Sequence, residues 1–138
     1  MNVAIIGSGS WATALAKIVM HNATDINWYI RKQETIDEFI EIRRNPNHLE
    51  WAYFDVSRIH FSADINAVIE QSDLLVLAVP SPYLKQSLND IKVDMSQKMV
   101  ISAVKGMIPD ENLLVTEYMH KQFNVPEENL GVIAGPCH

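Results

Sequence analysis

The sequence has a single cysteine, Cys137, so no disulfide can close within the chain, and a reducing, cytoplasmic setting is the simplest expectation. It lacks a basic surplus: 11 Lys and Arg stand against 17 Asp and Glu, a formal net charge of −6, and no basic run stands out. Nucleic acid is thereby excluded as a general partner. A long apolar run is also missing. The longest, residues 74–79, falls far short of the roughly 20 residues that a membrane helix needs. No charged leader precedes the first apolar stretch, so no signal peptide is expected. Internal repeats and low-complexity segments are absent. His21, His48, His60, His120 and His138 show no metal-ligand spacing. Cys137 and His138 are adjacent, which is not the arrangement of a nucleophile and its base.

What is present is an ordered alternation. A chain of 138 residues fits one domain, residues 1–138, with a sizeable core. Apolar runs predict strands over residues 3–6, 26–30, 58–61, 74–79, 99–103 and 131–134. A helix is predicted over residues 11–19, with Leu15, Ile18 and Val19 as its apolar stripe. A second, over residues 35–44, carries Thr35 and Glu38 as a capping box and Ile36, Phe39 and Ile40 on one face. Asn45-Pro46-Asn47 stops it. Residues 49–57 read as an irregular connection with Trp51 and Tyr53 exposed. Asp64 caps a short helix, and Ser81 caps another with Pro82 at its first position and Leu84, Leu88 and Ile91 inward. A last helix is predicted over residues 112–123, with Leu114, Val115, Tyr118 and Met119 buried. Strands alternating with helices predict the α/β class: a Rossmann-like, doubly wound, mostly parallel sheet with right-handed crossovers.

The first strand runs into Gly7-Ser8-Gly9-Ser10-Trp11-Ala12. Gly7-x-Gly9-x-x-Ala12, between a strand and a helix, is the dinucleotide fingerprint with alanine in its third place. Gly7 allows the turn, Gly9 lets a diphosphate approach the backbone, and Ala12 lets helix and strand pack closely. The helix N-terminus and the hydroxyls of Ser8 and Ser10 then face the phosphates. Ligands of such sheets bind beyond the carboxyl ends of the strands. Those ends collect Gly7 to Trp11, Arg31-Lys32, Pro80-Ser81, Lys105-Gly106 and Gly135 to His138. Arg31 stands 22 positions after Gly9, where an acidic residue would hold the ribose of NAD. A guanidinium there suits a 2′-phosphate or stacks on adenine, which favours NADP with NAD tolerated; the alternative is a solvated basic turn. Lys105 has two readings, a contact to a substrate phosphate or carboxylate beside the nicotinamide, and a plain surface lysine. Trp11 likewise reads as a cofactor contact or as core.

Taken together, Gly7 to Ala16, Asn45 to Leu49, Ala78 to Ser81, Lys105-Gly106 and Ala134 to Pro136 resemble the successive motifs of NAD(P)-dependent glycerol-3-phosphate dehydrogenases of the bacterial type. The resemblance covers the whole chain but only the N-terminal half of that family's length. It implies reduction of dihydroxyacetone phosphate to sn-glycerol 3-phosphate for glycerophospholipid synthesis, with hydride passing from the nicotinamide to the substrate. It implies cofactor contacts at Gly7, Gly9, Ser10, Trp11, Ala12, Arg31, Lys32, Pro80 and Lys105, and substrate contacts at Lys105, Gly135 and Cys137. Three positions depart from the pattern: Ala12 for glycine, His48 for a common tyrosine, and Cys137 for serine or threonine. The family's acid–base lysine belongs to a helical C-terminal domain outside this sequence. No catalytic residue is therefore assigned, and the chain alone is expected to bind cofactor without turnover. An apolar face left for that domain makes a homodimer an expectation. Two other readings stand beside this one, a different two-domain dehydrogenase of the ketopantoate reductase kind and a non-catalytic NAD(P)-sensing module.

Overall fold

The computed structural model describes residues 1–22, 25–104 and 107–133. Its elements alternate as the apolar runs predict. β1 (Val3–Ile6) leads to α1 (Ser10–Asn22), β2 (Ile26–Tyr29) to α2 (Gln33–Ile42), and β3 (Ile59–Ser62) to α3 (Ile65–Glu70). β4 (Leu74–Leu77) leads to α4 (Ser81–Leu88), and β5 (Met99–Ser102) to a hairpin of β6 (Met107–Ile108) and β7 (Leu113–Leu114). α5 (Val115–Phe123) and β8 (Leu130–Val132) follow. Six strands form one sheet in the order β3-β2-β1-β4-β5-β8, every pair parallel. The order reverses between β1 and β4. A parallel sheet of this order is the doubly wound arrangement, and its switch point is where a ligand crevice opens.

Successive residues of the inner strands face opposite layers, which is why both faces are apolar. Ala4 and Ile6 of β1, with Leu75 and Leu77 of β4, pack against α3, α4 and α5. Ile5 and Val76 point the other way, into the layer of α1 and α2. There Trp28, Phe39, Phe54 and Phe61 form an aromatic cluster with ring centroids 4.9–5.7 Å apart. Lys85 of α4 pairs with Glu111 in the hairpin turn at 2.9 Å, which ties the two together at the surface and raises the Lys85 pKa.

Several local expectations are corrected. α2 starts at Gln33, two residues early, behind Lys32, which caps without a side-chain bond; Thr35 lies inside the helix and its N–H bonds the Lys32 carbonyl. Ile18 and Ile40 face solvent, so the buried stripes run through Leu15, Ala16 and Met20 and through Ile36 and Phe39. Pro80 takes the cap of α4, and Ser81 and Pro82 are its first two residues. The last helix begins at Val115 rather than 112, because Asp110 and Asn112 adopt left-handed φ values of 70° and 52° that close a hairpin. Leu114 is accordingly exposed. Asp64 does cap α3, accepting from the N–H of Asn66 at 3.0 Å and of Ala67 at 3.4 Å. Trp51 and Tyr53 are exposed as expected.

Candidate functional site

The glycine loop sits where β1 meets the end of β4. Gly7 has φ 127°, and a Cβ there would stand 2.8 Å from the Ala78 carbonyl oxygen. Only glycine meets both constraints. Gly9 differs: nothing lies within 4 Å of where its Cβ would be, so the space over the loop is open to a ligand. Thr13 N–H reaches the Gly9 carbonyl at 3.0 Å. The amides before it belong to the first turn, which a helix leaves for outside acceptors.

Three buried side chains hold this loop, a role that the sequence assigns to none of them. Thr13 Oγ donates to the Gly9 carbonyl at 2.7 Å. Asn45 Nδ2 donates to the Ser8 carbonyl and to Thr13 Oγ, both at 2.9 Å, while its Oδ1 accepts from Asn47 N–H at 2.9 Å. Trp28 Nε1 donates to the Gly7 carbonyl at 2.7 Å. With the carbonyls of Gly7, Ser8 and Gly9 engaged inside, the opposite side of the loop is left to its amides. A signal existed for each: a threonine on the apolar face of α1, and an indole N–H inside an interior strand, which needs an acceptor when buried. Asn45 carried a turn signal and a place in the family-like motif of residues 45–49, neither of which says that it holds the loop.

A crevice of about 530 Å³ opens at the switch point, lined by Gly7 and Ser8 after β1, Tyr29 and Arg31 at β2, Val79 and Pro80 after β4, and Tyr83 and Asp90 among others from α4 and beyond. Gly7, Arg31 and Pro80, three of the sequence-derived candidates, thus share one cavity. A concavity of about 450 Å³ lies at the amino ends of the strands, among Asn2, Asp25, His60 and Asp73. Its acidic lining is unsuited to a polyanion. Burial, reinforced by the Asp90 carboxylate, pushes the Tyr29 phenol above its ordinary 10.0, and the Arg31 guanidinium opposes this. Tyr29 lines the crevice, and its phenol is a donor available to a ligand there.

The other candidates are placed less uniformly. Ser10 and Trp11 open α1; Ser10 Oγ shares a hydrogen with His48 Nδ1 at 3.1 Å, and Trp11, half-buried, donates its indole N–H to the Ala103 carbonyl at 2.8 Å. Trp11 therefore packs against the core from the crevice side of α1's first turn and reaches the residue that follows β5. Ala12 of α1 is fully buried in the core cluster that includes Ile5 and Val76 of the sheet, so only its backbone can meet a ligand. Lys32 is exposed beside the crevice-lining Arg31. Lys105, Gly135 and Cys137, like Gly106 and His138, lie outside the described residues. Among the described residues no group of three or more metal-ligating side chains occurs, and no helix is long and apolar enough to cross a membrane.

Comparison with known proteins identifies the arrangement. A family profile described as NAD-dependent glycerol-3-phosphate dehydrogenase N-terminus matches residues 2–138. The chain is 26% identical over 136 residues to glycerol-3-phosphate dehydrogenase [NAD(P)+] of Psychrobacter arcticus, covering 99% of this chain and 31% of that protein. It is 30% identical over 139 residues to that of Staphylococcus carnosus, covering 99% of this chain and 41% of the other. The solved structure of Plasmodium falciparum glycerol-3-phosphate dehydrogenase superposes with a TM-score of 0.77 at 29% identity, over 91% of this chain and 39% of that one. The chain thus spans about a third to two fifths of the length of these relatives.

Proposed function

The chain belongs to the family of NAD-dependent glycerol-3-phosphate dehydrogenases, whose N-terminal region it matches, and from that membership we propose that its crevice seats NAD(P)H across the carboxyl rim of the sheet. The diphosphate lies on the amides that follow Gly7, and Gly9 leaves the approach clear. The adenosine end enters the cavity beside Arg31, with Pro80 and the Tyr83 ring as its walls. Arg31 supports NADP, with NAD accepted. Ser10, Trp11 and Lys32 complete the cofactor contacts, and Lys105 meets both cofactor and substrate, with Gly135 and Cys137 on the substrate side. The single observation that carries this reading is the shared cavity of Gly7, Ser8, Arg31 and Pro80 at the point where the strand order reverses.

The reaction of the whole protein is then the interconversion of dihydroxyacetone phosphate and sn-glycerol 3-phosphate, in the service of glycerophospholipid synthesis. Bound NAD(P)H supplies the hydride that the ketone carbon accepts. The residues described here bind and orient; the proton for the new hydroxyl comes from no residue assigned in this chain. The 138-residue chain alone is therefore expected to bind cofactor without measurable turnover. A cytoplasmic setting and a homodimer complete the reading, with exposed Met107, Leu114 and Val132 as apolar surface for a second copy to cover. Calorimetric titration of the chain with NADPH and NADH tests the proposal. Saturable binding supports it, and absence of binding at millimolar cofactor refutes it.

A further inference from the structure

The acidic residue that normally receives the ribose of NAD at the end of the second strand is replaced here by Arg31. A carboxylate nevertheless lines the same crevice from the opposite wall. Asp90, two residues past α4, shares the cavity with Arg31, Tyr29, Tyr83 and Gln86. Its position is fixed from below. Asn66 of α3 donates through Nδ2 to the Asp90 carbonyl at 2.9 Å, and its Oδ1 accepts from the N–H of Lys92 at 2.7 Å and of Val93 at 3.3 Å. The Asp90 backbone is thereby pinned to α3. Asp64, the other carboxylate acting on Tyr29, is engaged as the α3 cap. Asp90 has no such bond among those recorded for the described residues. A carboxylate in a crevice that receives a polyanion is a cost unless it answers a donor on the ligand.

We infer that Asp90 is a specificity-determining residue, which accepts from the ribose hydroxyls of NAD and repels the 2′-phosphate of NADP, so that it offsets Arg31 across the crevice. The acidic function missing from the end of β2 is supplied from the far side of α4. The Tyr29 phenol lines the same cavity and feels both charges, its ionisation opposed by Asp90 and favoured by Arg31. This inference rests on the cofactor reading above and deepens it: the crevice is balanced between the two dinucleotides rather than committed to the phosphorylated one.

The test is the ratio of NADPH to NADH affinity, measured by titration of the 138-residue chain. Asp90→Asn keeps the size of the side chain and the backbone bond to Asn66. It should raise the ratio by about three- to tenfold, the effect of one charge acting on a phosphate at about 6–10 Å through solvent-rich surroundings. Asp90→Ser also removes the charge and should move the ratio the same way, which keeps the test open if the first variant unfolds. Both changes should shrink at high salt. An unchanged ratio, with both cofactors still binding, overturns the role of Asp90 and leaves the cofactor site standing. If neither cofactor binds the unaltered chain, the site itself is overturned and the inference with it.

Discussion

Asn45→Leu is the most informative perturbation of the glycine loop. Leucine keeps the branching of asparagine at Cγ and puts methyl groups where the amide oxygen and nitrogen stood, so the change removes the hydrogen bonds without opening a cavity. Asn45 is fully buried and makes three of them, to the Ser8 carbonyl, to Thr13 Oγ and from Asn47 N–H. A net hydrogen bond is worth about 0.5–1.5 kcal/mol, and a buried acceptor left unpaired costs about 1–3 kcal/mol, so a loss of roughly 2–4 kcal/mol is expected. Urea denaturation followed by tryptophan fluorescence measures it. The second consequence is specific to the loop. Freed from Asn45, Ser8 must be ordered again when a diphosphate binds, at about 1–2 kcal/mol of backbone entropy. NADPH affinity should therefore fall about tenfold even under conditions where the variant is fully folded. A destabilisation below about 0.5 kcal/mol, or unchanged affinity in a folded variant, would refute the claim that Asn45 holds the loop.

Other outcomes follow from the same contacts. Gly7→Ala places a Cβ against the Ala78 carbonyl at 2.8 Å in a backbone conformation closed to alanine, and should cost at least about 2 kcal/mol in urea denaturation; a neutral result would contradict the tight junction of β1 and β4. Trp28→Phe leaves the Gly7 carbonyl without its donor and should cost about 1–3 kcal/mol in the same assay, whereas Phe61→Leu in the same cluster should not change cofactor affinity in the folded protein. Arg31→Asp should weaken NADPH binding by roughly tenfold more than NADH binding, the order of one charge-assisted pair, and an unchanged preference removes Arg31 from its role. Hydrogen bonds from Ser57 and Ser96 hold the carboxyls of Asp55 and Asp94 below their ordinary 3.8. Their stabilising contribution is present above that value and lost as pH falls through the lower folded values. The double variant Asp55→Asn, Asp94→Asn should accordingly show a flatter loss of Tm below pH 4, and parallel curves would count against it.

The order of elements was legible because interior parallel strands are apolar on both faces. Residues 3–6 and 74–77 read as unbroken apolar runs, and alternate side chains do enter the two helical layers. The boundaries were less legible. Thr35 offers a capping box in sequence, yet the extended Lys32 caps α2 three residues earlier, without a side-chain bond. Leu113 and Leu114 continue a helical pattern, but the left-handed residues Asp110 and Asn112 fold them into a hairpin. Ile18 and Ile40 show that apolar character alone does not mark the inner stripe. At the site, Gly7 was visible as part of the fingerprint, Arg31 by its distance of 22 positions from Gly9, and Pro80 because it follows a predicted strand. Trp28 and Asp90 were not, and the loop-holding role of Asn45 was not. Their partners lie 21 or more positions away or across a cavity, and only the folded chain brings them together.

The central claim is that a dinucleotide lies across the carboxyl rim with its diphosphate on the amides after β1. Titrating isotope-labelled chain with NADPH and following each backbone amide by NMR tests it most directly. The largest shifts should fall on Ser8 to Ala12, on Arg31 and on Tyr83. Shifts confined to Asn2, Asp25, His60 and Asp73, around the concavity at the amino ends of the strands, would contradict it.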